Sequence, residues 1–159
     1  MSYKFTGSKY NDQLGIKDIA KLVRKELKEK YPKCKFSVRI QRYSGGQSMN
    51  VALAEADFNP FATPNRRLLK PINFRYFTEQ ECLDAWDKTI KEGYHDINSF
   101  YIDDDYKLNE KGKQLAKDMK EAVNQYNFDD SDSMTDYFHV NFYYDIAFGK
   151  WDKPLIINP

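Results

Sequence analysis

The stretch 36–53 constrains the fold more than any other part of the chain. Phe36, Val38 and Ile40 alternate with Ser37, Arg39 and Gln41, and after Ser44-Gly45-Gly46 the pattern resumes with Met49, Val51 and Leu53 on one face. Successive side chains of a strand point to opposite faces, so each run has one buried and one exposed side. Glycine accepts the positive φ of a tight turn, so the two runs close as an antiparallel hairpin.

Helical periodicity surrounds this hairpin. Ile16, Ile19, Ala20, Val23, Leu27 and Tyr31 form one face of a helix whose other faces carry Lys17, Lys21, Arg24, Lys25 and Lys28, and Pro32 closes it. Thr78 and Glu81 form a capping box for a second helix, with Cys82, Leu83, Trp86 and Ile90 turned inward and Gly93 as its stop. A third helix runs from near Asn109 through Leu115, Met119, Ala122, Val123 and Tyr126. The segment 127–136 is polar and reads as a loop. The last element, 139–149, reads as a strand with Val140, Phe142, Tyr144, Ile146 and Phe148 on one face and His139, Asn141, Tyr143 and Asp145 on the other.

The order α-β-β-α-α-β predicts an α+β fold: a small, mostly antiparallel sheet of three or more strands with helices packed on one face. The last strand is expected to pack on Val23 and Leu27 of the first helix. At 159 residues, with no internal repeat or linker, a single domain over 1–159 is expected. The aromatic fraction of 16% lets few residues fill the core of a chain that is only 41% apolar. The exception to regular structure is 57–73, which holds three prolines, and irregular connections of that length are uncommon unless functional or mobile.

The opening residues MSYKFTGSKYNDQ hold no apolar run, and no stretch reaches the length of a membrane span. A cytoplasmic protein is therefore expected, without a membrane partner. Cys34 and Cys82 lie far apart and are expected to be reduced thiols.

A net charge of +1 hides an asymmetry: residues 1–75 carry +10, including all six arginines, and residues 76–159 carry −9. Either the halves neutralise each other in the fold, or the surface is bipolar and steers charged partners. On the basic side, Lys35, Arg39, Gln41 and Tyr43 share one face of the first hairpin strand, with Arg42 beside them. Phosphate contacts and a stacking aromatic would suit nucleic acid, but the acidic second half opposes it, so direct nucleic-acid binding is expected to be weak or absent. On the acidic side stand Asp103, Asp104 and Asp105, then Asp129, Asp130 and Asp132.

Catalytic signatures are missing from the sequence. Two histidines and two cysteines show no metal spacing, and no phosphate loop, dinucleotide fingerprint or nucleophile elbow occurs. Counted from Asp130, an EF-hand-like loop would place Thr135 where glycine is needed and Asn141 where glutamate is needed. A magnesium site on Asp130, Asp132 and Asp136 is the remaining metal option, against turns and caps built from aspartate. No cofactor, no metal and no enzymatic activity are expected.

Two segments carry a family likeness. Residues 16–53, with K-F-S-V-R followed by R-Y-S-G-G, and residues 126–154, with the S-D-S-M-T-D-Y-F block and a strand ending G-K-W-D-K-P, resemble a large-polyvalent-protein-associated domain of phage and plasmid proteins. The resemblance implies a mobile-element protein with no catalytic residues to carry over. For a small protein of that origin it implies inhibition of host defence, as an anti-CRISPR that binds Cas9 or its guide-RNA complex by direct contact. The contact residues expected are Lys35, Arg39, Arg42 and Tyr43 on the basic side and Asp103, Asp104, Asp105, Asp129, Asp130 and Asp132 on the acidic side. An accessory role in mobile-element replication or transfer, through nucleic acid, is the alternative. Ser131, Asp132, Thr135, Asp136 and Tyr137 are expected to fix the turn before the last strand rather than to bind.

Overall fold

The computed structural model describes residues 2–132 and 140–159, and for Ser2, Tyr3 and Asp132 the backbone alone. The expected elements are present: helices α1 (Ile16–Lys30), α2 (Glu79–Glu92) and α3 (Glu110–Asn124), and the hairpin strands β2 (Lys35–Tyr43) and β3 (Gly46–Ala56). Further strands are β1 (Ser2–Thr6), β4 (His95–Ile97), β5 (Phe128–Asp132), β6 (Tyr143–Phe148) and β7 (Ile156–Ile157). The fold is α+β, with strand order β2-β3-β6-β4 in the main sheet and β7 pairing with the end of β3.

Two arrangements differ from the sequence reading. The hairpin is antiparallel, but β6 joins β3 in parallel, after a crossover through α2, β4, α3 and β5. The segment 127–136, expected as a loop, supplies β5, which pairs antiparallel with β1. Only Phe128 in Phe-Asp-Asp-Ser-Asp favours a strand, and its three aspartates disfavour one. The pairing is nevertheless supported from outside, by Lys4 across from Asp130 and by the Gly7 N–H donating to the Asn127 carbonyl at 2.8 Å. His139, Thr135, Asp136 and Tyr137 lie outside the described residues, and Asp136 is the one member of the magnesium set among them.

The core is built in rows across the sheet. Val38, Val51, Ile146 and Ile97 stand side by side on β2, β3, β6 and β4, all buried, and Leu53 and Phe148 form the next row. On this face α1 lies over β2 and β3, and α3 lies over β6. Val23 and Leu27 therefore share one core with Ile146 and Phe148, with α1 placed chiefly on the hairpin. Glu26 ties α1 to the segment after α3 by accepting from Tyr126 at 2.7 Å, and Asp118 of α3 accepts from Lys30 of α1 and from Tyr31, which caps that helix.

Helix α2 begins in the predicted box: Thr78 Oγ1 accepts from the Glu81 N–H, and the Glu81 carboxylate accepts from the Thr78 N–H. Gly93 ends it with φ 62°. Its inward face is Cys82, Trp86 and Thr89, whereas Ile90, expected inside, is exposed. Thr89 takes the buried place because its hydroxyl meets the Lys107 ammonium at 2.9 Å. Trp86 packs edge-on against Tyr106 and donates to the Ala62 carbonyl, so α2 holds down the long connection. Both cysteines are free and buried: Cys34 meets Asp57 and Cys82 meets the Asn73 carbonyl.

Candidate functional site

The sheet face opposite the helices is open, and a groove of about 510 Å³ runs across it. Register fixes its contents. Arg39, Asn50 and Asp145 form one row on β2, β3 and β6, and Ser37, Ala52, Ala147 and Asp96 form the next on β2, β3, β6 and β4. Ala52 and Ala147 are the smallest side chains in these rows, so they make a floor between charged walls. Tyr94, Lys150, Trp151 and Asp152 complete the lining.

The rim comes from a tight turn after β6. Gly149 adopts φ 72°, and its position leaves no room for a β-carbon, which would lie 2.0 Å from the Gly93 carbonyl oxygen. Reciprocal hydrogen bonds between the backbones of Lys150 and Lys153 then close the turn, with Trp151 and Asp152 at its tip. Trp151 is 84% exposed, an unusual placement for an indole.

Charge is segregated within the groove. Lys150 donates to Ser37 Oγ at 2.8 Å and stands near Arg39, and its ammonium is held below the ordinary lysine range by desolvation, then by Arg39 and Lys153. On the other wall, the Asp96 side chain reaches solvent, yet desolvation by its surroundings and the charge of Asp145 push its carboxyl above the usual range. The Tyr94 phenol is raised by desolvation and by the same two carboxylates. Among the described residues neither Arg39 nor Asp96 nor Asp145 makes an ion pair.

A second surface comes from the long connection. It forms two short 3-10 turns at Arg66–Leu68 and Pro71–Phe74, fixed by the Asn65 and Asn73 side chains accepting from the Arg67 and Lys70 N–H groups. These turns leave Leu68, Ile72, Phe74, Tyr76 and Phe77 exposed, Tyr76 to 77%. Arg66 pairs with Glu79 and Lys70 with Asp104, while Arg75 lies 5.4 Å from the centre of the Tyr76 ring.

The sequence-predicted residues are distributed as follows. Lys35, Arg39 and Tyr43 are exposed on the open face of β2, with Lys35 paired to Glu55 at 3.1 Å. Arg42 is exposed on the opposite face of the strand, so it does not join Arg39. Asp103 pairs with Lys117, which holds its carboxyl below the ordinary range; Asp104 pairs with Lys70, and Asp105 meets His95 at 2.6 Å. Asp129 accepts from the Ser131 N–H, and Asp130 pairs with Lys4 at 3.6 Å. Asp132 is paired through its backbone with Ser2. These acids are thus engaged within the chain, and the pairs Lys4–Asp130, Lys30–Asp118, Arg66–Glu79 and Lys70–Asp104 join the basic half to the acidic half. Sequence reasoning missed Tyr94, Asp96, Lys150 and Trp151. The only signal for them was the pair of alanines at polar-face positions of β3 and β6.

Among the described residues no group of three or more His, Cys, Asp or Glu could hold a metal ion, and no helix is long and apolar enough to cross a membrane. No curated protein and no solved structure matches the chain. Residues 14–114 match the family described as large polyvalent protein associated domain 29. The match takes in α1, the hairpin, the long connection, α2 and β4, and it ends before the segment 126–154. With more than half its length matched, the chain belongs to the large polyvalent protein associated domain 29 family, which associates it with phages and other mobile elements.

Proposed function

We propose that this mobile-element protein works without catalysis, by docking onto another protein, and that in its most specific form the partner is a Cas9 nuclease or its guide-RNA complex, which it inhibits. The observation that supports docking is the cluster of Leu68, Ile72, Phe74, Tyr76 and Phe77, five large apolar side chains exposed within ten residues. Exposed apolar patches rimmed by polar groups mark interaction sites. Aromatic residues and arginine are the favoured anchors of such interfaces. Arg67 and Arg75 make no ion pair among the described residues, so the complementary face is apolar with acidic neighbours. Arg42 and Tyr43, exposed at the hairpin end, offer a second contact. The paired aspartates contribute mainly through on-rate and salt dependence.

The test is a DNA cleavage assay in which the protein is titrated against a fixed amount of Cas9–guide complex, with direct binding measured in parallel. Inhibition that saturates at one equivalent, needs no cofactor and weakens at least tenfold in Tyr76→Ser and Phe77→Ser supports the proposal. Cleavage that persists at severalfold excess across several Cas9 orthologues removes Cas9 as the partner. Inhibition far below one equivalent points to turnover, and so to an enzyme.

The interleaving of cations with exposed aromatics on 66–77 also favours a second reading, single-stranded nucleic acid stacked on Tyr76 and Phe77. Binding no tighter than about micromolar at physiological salt is expected. Sub-micromolar, steeply salt-dependent binding that is lost on Arg67→Ala and Arg75→Ala would put nucleic acid first.

A further inference from the structure

We propose that the groove on the open sheet face binds a small zwitterion of dipeptide size, its carboxylate against Arg39 and its ammonium between Asp96 and Asp145. The inference is independent of the docking surface on 66–77 and stands or falls by its own test.

The argument begins with uncompensated charge. Arg39 on one wall, and Asp96 and Asp145 on the other, make no ion pair among the described residues, although all line one groove. Lys150 makes no ion pair among the described residues either; it donates to Ser37 and stands near Arg39, with Asp152 offsetting part of its charge, so the cationic wall is Arg39 backed by Lys150. Surface charges are usually left to water. Here, however, Asp96 and Asp145 stand diagonally on the neighbouring strands β4 and β6 with Tyr94 close by, and the charge of each is felt by the others, only partly offset by His95, an arrangement that an incoming ammonium would relieve.

Spacing selects the ligand. β2 and β6 flank β3, so the backbones at Arg39 and Asp145 stand two strand spacings apart, roughly 9–10 Å. Between them on β3 stands Asn50, an amide able to meet a peptide group, and beside it the Ala52 and Ala147 methyls leave the floor of the next row open; about 510 Å³ lies within the range of small-molecule sites. The charges of an α-amino acid sit on adjacent bonds and are too close to touch both walls. An extended dipeptide places its termini up to roughly 7 Å apart, which the inward reach of Arg39 makes sufficient. Tyr94 and Trp151 would flank the ligand, and an ammonium near either ring gains further attraction.

The closing experiment uses Trp151 as a reporter, since Trp86 is fully buried and insulated from the groove. Fluorescence and calorimetric titrations are run with alanylalanine, its N-acetyl form and its C-terminal amide. The free dipeptide should saturate a Trp151 signal that Trp151→Phe abolishes, and each blocked form should bind at least tenfold more weakly. Arg39→Gln should erase the preference over the amide, and Asp145→Asn the preference over the acetyl form, with thermal melts unchanged in both variants. No saturation up to the solubility of the dipeptide overturns the proposal. So does equal binding of a free and a blocked form, because the groove would then read one charge or none.

Discussion

Val38 and Arg39 are neighbours in sequence but stand on opposite faces of one sheet, and a substitution at each should do different things. The row Val38, Val51, Ile146 and Ile97 lies under helices, with its side chains in a continuous core. The row Arg39, Asn50 and Asp145 lies in the open, with charge where the other face has methyl groups. The same backbone hydrogen bonds hold both rows. The covered face therefore sets stability and the open face is free to carry function.

The sharpest way to break this division is at Phe148, fully buried at the end of β6 and edge-on to Phe61. Phe148→Ala should lower unfolding free energy by about 3–5 kcal/mol, and Leu27→Ala beneath α1 by about 2–5 kcal/mol. Chemical denaturation measures both. An unchanged midpoint for Leu27→Ala would show that the helix face does not seal the core. One residue further on, Gly149 joins the two faces. Its positive φ and its approach to the Gly93 carbonyl make Gly149→Ala a loss of about 2–4 kcal/mol, from backbone strain and overpacking together. That variant should also lose the Trp151 signal of the rim, a double effect that no other substitution on the open face should give.

Smaller effects separate local from tertiary structure. Thr78→Ala removes the oxygen that caps α2 and should cost about 1 kcal/mol. Arg39→Ala, on the open face, should stay within about 0.5 kcal/mol of the parent. A loss of 2 kcal/mol or so at Arg39 would contradict the division itself, since it would make a groove residue part of the stability of the fold.

The parts legible from sequence are those that local periodicity encodes. The hairpin 35–53, the inward faces of α1 and α3 and the Thr78 box each need only a few neighbouring residues to specify them. The parallel pairing of β3 with β6 was not legible, because Asn50 and Asp145 meet only after a crossover of two helices and two strands. Pairing of β1 with β5 was hidden for a related reason: Lys4 and Asp130 lie at nearly opposite ends of the chain. Ile90 misled because hydrophobicity alone takes no account of a half-buried Lys107 donating to the Thr89 hydroxyl. The acidic runs were visible, but not the cations that pair with Asp103, Asp104 and Asp130. Asp145 was recognised as facing away from the core. Its neighbour Asp96 could not be assigned to the same groove without the register of β4 on β6.

That register leads to the smallest effect. Asp96 ionises less readily in the folded chain than in the unfolded one, through desolvation first and the charge of Asp145 second. A folded pKa above the unfolded value means that ionisation is opposed by the native state. The group's stabilising contribution is thus complete below its unfolded pKa and is lost as pH rises through its folded pKa. At neutral pH the carboxylate is charged in both states, and the folded state bears the penalty. Asp96→Asn removes that penalty, so it should stabilise the protein at neutral pH by about 0.5 kcal/mol or less, since solvent screens an exposed pair. As pH falls below the unfolded carboxylate pKa, both forms of residue 96 are neutral and the advantage should vanish. Paired melts of the parent and the variant across that range measure the difference. A deficit of Asp96→Asn at neutral pH that disappears toward acid would mean that a cation of this chain stabilises Asp96, and the wall on which the ammonium subsite depends would then already be neutralised.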